Sequence, residues 1–474
     1  MIRSLAGLAA LLAVAAPAAP KQPTDLLIRH ATIVDVASGK TIANQAIAVT
    51  GDTIRARGSD SAISRQYTAK ESVDATGKFV MPGLWDMHVH FGGGPELIEE
   101  NKNLLPLYVA YGVTTVRDCA ADISPSVLEW RAQVARGQLL GPRIFTSGPK
   151  LEGYKPIWKG TIEVGTPADV NAALDRLQAM KVDFVKITDN TLKPEIFLYA
   201  VQEAKRRGMK SSAHTPYALT IVQAAVAGLS SVEHVDYLIK AGSPKEVEIG
   251  VQYAAGKLTY GQASDGFVET FDKAYAAGVY RELARRHIAV TPTLNMSRIL
   301  AYLDREDHSK DAALAYIGPG LRKTYEWRVE RAAKATSAEV AARHRKYELS
   351  RQVMPMLVAA GIPILAGTDA GYLNSFNYPG QGIHDELQRY VESGLTAQQA
   401  LVSATITGPA FLGHSDRYGS TAAGKAADIL ILDANPLNDI NATRSIRGVV
   451  LYGKWMDRGA LDALLAEAKA KAAQ

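Results

Sequence analysis

The sequence predicts an α/β fold, a TIM-like (β/α)8 barrel flanked by a β-sandwich domain built from both chain ends. Three observations predict it. Short apolar strands alternate with helical stretches through the middle of the chain; β-rich, helix-poor segments lie at both ends; and 474 residues suit a large barrel with an accessory module. The expected divisions are 1–18 (a leader), 22–79 (first part of the sandwich), 80–420 (the barrel) and 421–465 (second part of the sandwich).

Residues 1–18 join Arg3 to an apolar run, 5–16, and the small-residue exit Ala16-Pro-Ala18. That order is a secretory signal peptide, too short for a membrane span, so the expected destination is secreted or periplasmic with no membrane attachment after cleavage. Cys119 is the single cysteine, so no disulfide forms within the chain. The net charge of +5 is spread without a long basic run, which argues against a nucleic-acid partner.

Between 22 and 79, runs such as 25–30, 31–35 and 46–50 read as strands, and Gly51-Asp52 as a hairpin turn; no helical period is visible. The barrel strands are expected at 79–90, 112–117, 143–146, 184–187, 210–214, 231–234, 288–292 and 362–366. The long connections before and after the seventh strand look like helical insertions, and 318–358 reads as a solvated helical face. Past 421, residues 427–433, 446–452 and 455–456 alternate like strands, so the two tails are expected to meet.

Barrel active sites sit at the C-terminal strand ends. Those positions hold His88 and His90 (first strand), Lys186 (fourth), His214 (fifth), His234 (sixth) and Asp369 just past the eighth. Two histidines at i and i+2 of a strand share a face, so His88 and His90 can reach one ion. Lys186, among apolar neighbours, reads first as a lysine paired with Asp183, Asp189 or another rim carboxylate. Its second reading is a free amine that adds carbon dioxide, giving an anionic carbamate able to bridge two metals. Candidates for substrate contact are Tyr217, Tyr372, Asn374 and His384, the last equally readable as a helix cap; Lys150, Lys155, Lys159, Tyr154 and Trp158 share a loop that reads as a carboxylate holder or as exposed basic chain.

Gly-x-x-Asp-x-His-x-His at 83–90, Val-Lys-Ile at 185–187, Ala-His at 213–214, Glu-His at 233–234 and Ala-Gly-Thr-Asp at 366–369 resemble the amidohydrolase superfamily. Its imidazolonepropionase-like and prolidase-like members, ochratoxin-degrading amidases and Xaa-Pro dipeptidases among them, are the nearer resemblance. The likeness runs over roughly 24–458 and implies a distorted barrel with two divalent ions, zinc by ligand chemistry, with manganese and iron as alternatives. It places one ion on His88, His90 and Asp369 and the other on His214 and His234, bridged by carbamylated Lys186 and a hydroxide. Asp369 is then the proton shuttle. The expected activity is hydrolysis of the amide bond of a dipeptide or N-acyl amino acid. A cyclic amide or imidazolone is the alternative substrate, a non-catalytic metal-binding barrel the alternative of another class, and the sequence leaves room for a homo-oligomer.

Overall fold

The computed structural model describes residues 20–120 and 122–474; the expected signal peptide lies outside the described residues. Among the described residues no helix is long and apolar enough to cross a membrane.

Four strands open the chain: β1 (Gln22–Asp35), β2 (Lys40–Thr50), β3 (Thr53–Ser59) and β4 (Tyr67–Asp74). β2 reverses into antiparallel β3 through Gly51-Asp52, where Gly51 takes φ +57°. A short helix, Asp60–Gln66, interrupts the strands, contrary to the expectation of an all-β segment. Asp60 anchors it by accepting from Arg29 Nη2 at 2.7 Å and from the His30 amide at 3.2 Å, and Ile63 is buried beside Leu27 and Tyr67. Seven residues are too few turns for a helical period to show in the sequence.

The strand expected over 79–90 is two strands, β5 (Phe79–Pro82) and β6 (Leu84–His90), which belong to different sheets. Gly83 separates them, and a Cβ there would lie 2.2 Å from Thr114 Oγ1. The change of sheet therefore falls at Gly83 rather than at 80, because only glycine lets the backbone approach the next strand so closely.

β6, β7 (Val113–Asp118) and β8 (Arg143–Thr146) are parallel neighbours. A second parallel sheet follows, built from β9 (Leu151–Glu152), β10 (Ile162–Glu163), β11 (Val185–Ile187), β12 (Ser211–Ala213), β13 (Ser231–Glu233) and β14 (Ala289–Thr291) in the order β10-β9-β11-β12-β13-β14. Backbone hydrogen bonds cross both gaps between the sheets. Asp183 N donates to Thr146 O at 2.9 Å, Val290 N to Pro363 O at 3.0 Å, and Met87 N to Ala366 O at 2.8 Å. The expected strand at 362–366 is reduced to one bridge, Ile364 to Val290, since Pro363 has no N–H to donate. The chain then forms β15 (Ala370–Gly371), which pairs with the end of β6.

The insertions are helical as expected, with Tyr260–Glu269 and Lys273–Arg285 before β14, and Glu326–Ala333 and Ser337–Ala360 after it. β16 (Ile429–Leu432), β17 (Ile446–Leu451) and β18 (Lys454–Asp457) return to the opening strands. The order β18-β17-β16-β5-β1-β2-β3, with β4 paired to the first half of β1 on the edge that β5 continues, joins both chain ends in one eight-stranded sheet. At Arg458 the expected β tail gives way to the helix Arg458–Ala472, which packs on the helix Leu105–Ala110.

Candidate active site

Parallel strands gather their C-terminal ends on one side, and there six side chains from distant parts of the chain converge. His88 and His90 come from β6, Lys186 from β11, His214 and His234 directly follow β12 and β13, and Asp369 precedes β15. His88 Nε2 lies 3.2 Å from His90 Nε2, and Asp369 Oδ1 is 3.4 and 3.0 Å from them. His214 Nε2 and His234 Nε2 are 2.9 Å apart, and the His88 and His234 rings are 5.2 Å between centroids.

The outer nitrogens explain why these atoms face one another. His88 Nδ1 donates to Glu233 Oε2 at 2.7 Å and His90 Nδ1 to the Ala120 carbonyl at 3.2 Å. Each ring's Nε2 is thereby left with a lone pair, and both lone pairs point at a carboxylate oxygen. Burial, then Lys186, pushes the His88 imidazole down to about 3, and burial likewise lowers His214 and His234, which favours the neutral rings that can ligate a metal. In the tautomers set by Glu233 and Ala120, the His88 and His90 lone pairs and the Asp369 oxygen would be stabilised by a cation among them. Ligands about 2.1 Å from a tetrahedral zinc stand about 3.4 Å apart, close to the spacing of the His88, His90 and Asp369 atoms. The donor set therefore fits a divalent metal.

Backbone geometry supports the cluster. His234 and Asp369 take φ +72° and +64°, left-handed conformations that non-glycine residues hold only under constraint from their surroundings. Gly371 takes φ +137° with its Cβ position 2.0 Å from His90 O, so no other residue fits where β15 meets β6.

Lys186 is almost fully buried, and its Nζ has no hydrogen-bond partner. The ion pair read first from the sequence is absent: Asp183 is taken by Arg131 and the Thr146 amide, and Asp189 accepts from Tyr237 Oη at 2.9 Å. Beneath the histidines, Arg117 bridges β7 to Glu233 at 3.0 Å and also reaches Met87 O, Ser212 and Thr291. Burial alone would raise the Glu233 carboxyl, but Arg117 and His88 outweigh it and hold it well below the usual range. Asp369 behaves alike: the imidazoles of His90, His88 and His234 overcome burial and keep it a carboxylate.

A cavity of about 120 Å³ opens over these groups. Of the expected substrate-contacting residues, Tyr372 and Asn374 line it. Tyr217 and His384 do not. Tyr217 is buried among Tyr237, Tyr253, Tyr260 and Phe267, with Tyr237 edge-on to it and stacked on His214. His384 faces the interior from the helix Gln381–Glu392, bonded to the Tyr111 carbonyl and Thr443 Oγ1 at 2.9 Å each. Lys150 and Trp158 do reach the cavity, whereas Tyr154 is exposed and bonded to Asp169. Burial, then Lys186, lowers the Lys150 ammonium to about 8. Arg328 also lines the cavity, against the expectation of a solvated face at 318–358. Sequence reasoning also missed Glu233 and Arg117, although charged residues inside apolar strands signal a buried partner.

An α/β fold with a metal-competent cluster at its strand ends defines a class of protein with a candidate metal site at one end of its parallel strands. The chain belongs to the amidohydrolase family, whose model matches residues 79–456, and is a hydrolase acting on carbon–nitrogen bonds. It is 24% identical to ochratoxinase from Aspergillus niger over an alignment covering 89% of this chain and 84% of that one. Among solved structures, a Xaa-Pro dipeptidase with bound methionine superposes with a TM-score of 0.66 at 21% identity, covering 91% of this chain and 99% of the other. Bottromycin amidohydrolase gives 0.71 at 20% identity, covering 94% and 90%. At those identities the likeness is one of fold.

Proposed function

We propose that the protein cleaves the amide bond of a dipeptide or N-acyl amino acid, with Asp369 as proton shuttle. One observation carries this reading: His90, His214, His234, Asp369 and the unpartnered Lys186 nitrogen line a single small cavity, with His88 packed against His90 and Asp369 behind it. His88, His90 and Asp369 would hold one divalent cation, His214 and His234 a second, with Lys186 as its carbamate shared between them. Zinc suits the imidazole and carboxylate donors. Bound there, the cations supply Lewis acidity that acidifies water and polarises the scissile carbonyl.

The chain's own residues do the rest. Asp369, kept ionised by the surrounding imidazoles, takes the proton of the attacking water on a carboxylate oxygen and passes it to the leaving nitrogen. An amine leaves poorly unless protonated, so amide cleavage needs this transfer. Glu233 holds the His88 tautomer, and Tyr372 forms part of the wall beside His90, 6.3 Å from its ring. Membership of the amidohydrolase family, with a Xaa-Pro dipeptidase sharing the fold, supports an amide bearing an amino-acid unit.

The hydrogen-bonded circuit from β6 through β14 and 362–366 back to Met87 supports reading the two parallel sheets as one distorted eight-strand barrel. The terminal strands then form the β-sandwich domain, and the apolar run at 5–16 supports export to a secreted or periplasmic location. A panel of Xaa-Pro, Xaa-Lys/Arg and N-acyl amino acids, assayed with and without chelator, tests the function. Turnover of one class, abolished by chelator and restored by zinc, is the expected outcome; a metal-replete protein inert across the panel overturns it.

A further inference from the structure

Helices from the two insertions enclose a groove of about 490 Å³, and no residue lines both it and the metal cavity. Each helix turns one face toward it. Gly261 and Asp265 lie four apart on Tyr260–Glu269, which packs on Ser337–Ala360. Glu339, Arg343 and Lys346 follow one another at four and three residues along Ser337–Ala360, and Arg331 and Lys334 are three apart at the end of Glu326–Ala333. Residues at those spacings share a helix face, so these side chains point together into one space.

Four cations and two carboxylates meet there. Lys346 is paired outside the groove, donating to Asp236 Oδ2 at 2.7 Å. Glu339 is spent as the cap of its own helix, accepting from the Thr336 amide at 2.7 Å and from its hydroxyl at 2.9 Å. Arg331, Lys334 and Arg343 have no ion-pair partner among the described residues, and Asp265 is the carboxylate left among them. Arg343 carries the strongest signal: its Nε and Nη2 are sealed from solvent and have no hydrogen-bond partner. Guanidinium nitrogens are costly to bury without an acceptor. Arg331 lies over the Trp327 ring at 4.9 Å, which leaves the edge of its fork free to donate.

These donors approach from two different helices. A planar carboxylate is met along one edge, whereas a phosphoryl group presents three oxygens in different directions and can take donors from both sides. Tyr260 adds an apolar surface to the groove: it stacks on Tyr217 at 5.0 Å and is still 52% exposed. We infer that the groove is a binding site for a phosphate monoester, with Arg343, Arg331 and Lys334 on the phosphoryl group and Tyr260 against the organic part. The site is separate from the metal centre and belongs to the insertions alone.

Phenyl phosphate titrated into the metal-loaded protein by calorimetry tests the site. Phosphatidic acid in phosphatidylcholine vesicles is the second probe, carrying the same group on a lipid. Saturable binding is expected, about 10- to 100-fold weaker in Arg343→Met and in Lys334→Met, as for loss of a charged hydrogen-bond donor. Lys334 is exposed, so that variant keeps the test open should Arg343→Met fail to fold. Arg343→Lys restores part of the affinity, and Asp265→Asn, which removes an opposing charge, raises it. Arg345→Met alters the same helix outside the groove and leaves the affinity unchanged, which separates a site from diffuse basic charge. Vesicle capture lost in the same variants assigns the phosphoryl group to a lipid; binding of phenyl phosphate alone assigns it to a free ester. Failure of both probes to bind, or an equal loss in Arg345→Met, overturns the inference. So does binding that survives both Met variants and disappears with chelator, which is phosphate on the metal.

Discussion

Glu233 Oε2 lies 2.7 Å from His88 Nδ1, and both side chains are fully sealed from solvent. The carboxylate does two jobs at once, neutralising Arg117 and fixing which imidazole nitrogen of His88 carries the proton. Glu233→Gln removes the charge while keeping the shape. Removing one partner of a buried ion pair costs about 3–5 kcal/mol, so a clear fall in Tm is expected. Loss of the orienting carboxylate is expected to weaken zinc about 10- to 100-fold, read by competition with a chromogenic chelator. Unchanged zinc affinity would show that Glu233 serves Arg117 alone.

Asp369→Asn keeps a ligand oxygen beside His90 but cannot accept and return a proton. Turnover is expected to fall by about 10²–10⁴-fold while much of the bound metal remains, measured as kcat alongside elemental analysis of the same sample. Near-normal activity would refute the shuttle role.

What could be read from the sequence follows from how each residue is positioned. His88 and His90 were legible because a period of two is a property of the strand itself, and Lys186, His214, His234 and Asp369 because each sits at or beside a strand end. Arg328 was not legible. It lies on the helix Glu326–Ala333, whose mixed charges look solvated, and it reaches the cavity only because the insertion folds back onto Leu373 and Asn374. Nothing local encodes that return. His384 was misread for the converse reason: its place after Asp369 fits a rim residue, but Gln381–Glu392 turns the ring inward to the Tyr111 carbonyl. The break of 79–90 at Gly83 was hidden because both halves are good strand sequence, and only Thr114 on the neighbouring strand makes the glycine necessary.

Lys186 separates folding from function. An unpartnered amine buried beneath the cavity is a cost to the metal-free fold. Lys186→Met fills similar volume without that amine, so the metal-free variant is expected to melt at or above the wild-type temperature. The same variant is expected to bind less than the wild-type complement of zinc and to lose activity, since the proposed carbamate ligand could not form. Wild-type metal content in the variant would remove Lys186 from the site.

Glu386 supplies a test in pH. Its oxygens accept from the Leu294 and Asn295 amides at 2.7 and 2.6 Å, yet burial outweighs those bonds and pushes the carboxyl up to about 8 from an ordinary 4.5. Between those two values the folded chain keeps a proton that the unfolded chain has released. Stability from this group is therefore full below about 4.5 and drains away as pH rises through 8, because the native state binds more protons across that window. Glu386→Gln is neutral at every pH and removes this slope. It offers one acceptor oxygen to two amides, so it should start about 1 kcal/mol below the wild type at pH 5. Scanning calorimetry of the metal-free proteins from pH 5 to 9 should then show the wild-type Tm falling more steeply than the variant's (the pH limits being roughly the edges of the titration window). Parallel curves would mean that Glu386 is ionised in the folded protein, with the Leu294 and Asn295 amides stronger than its burial.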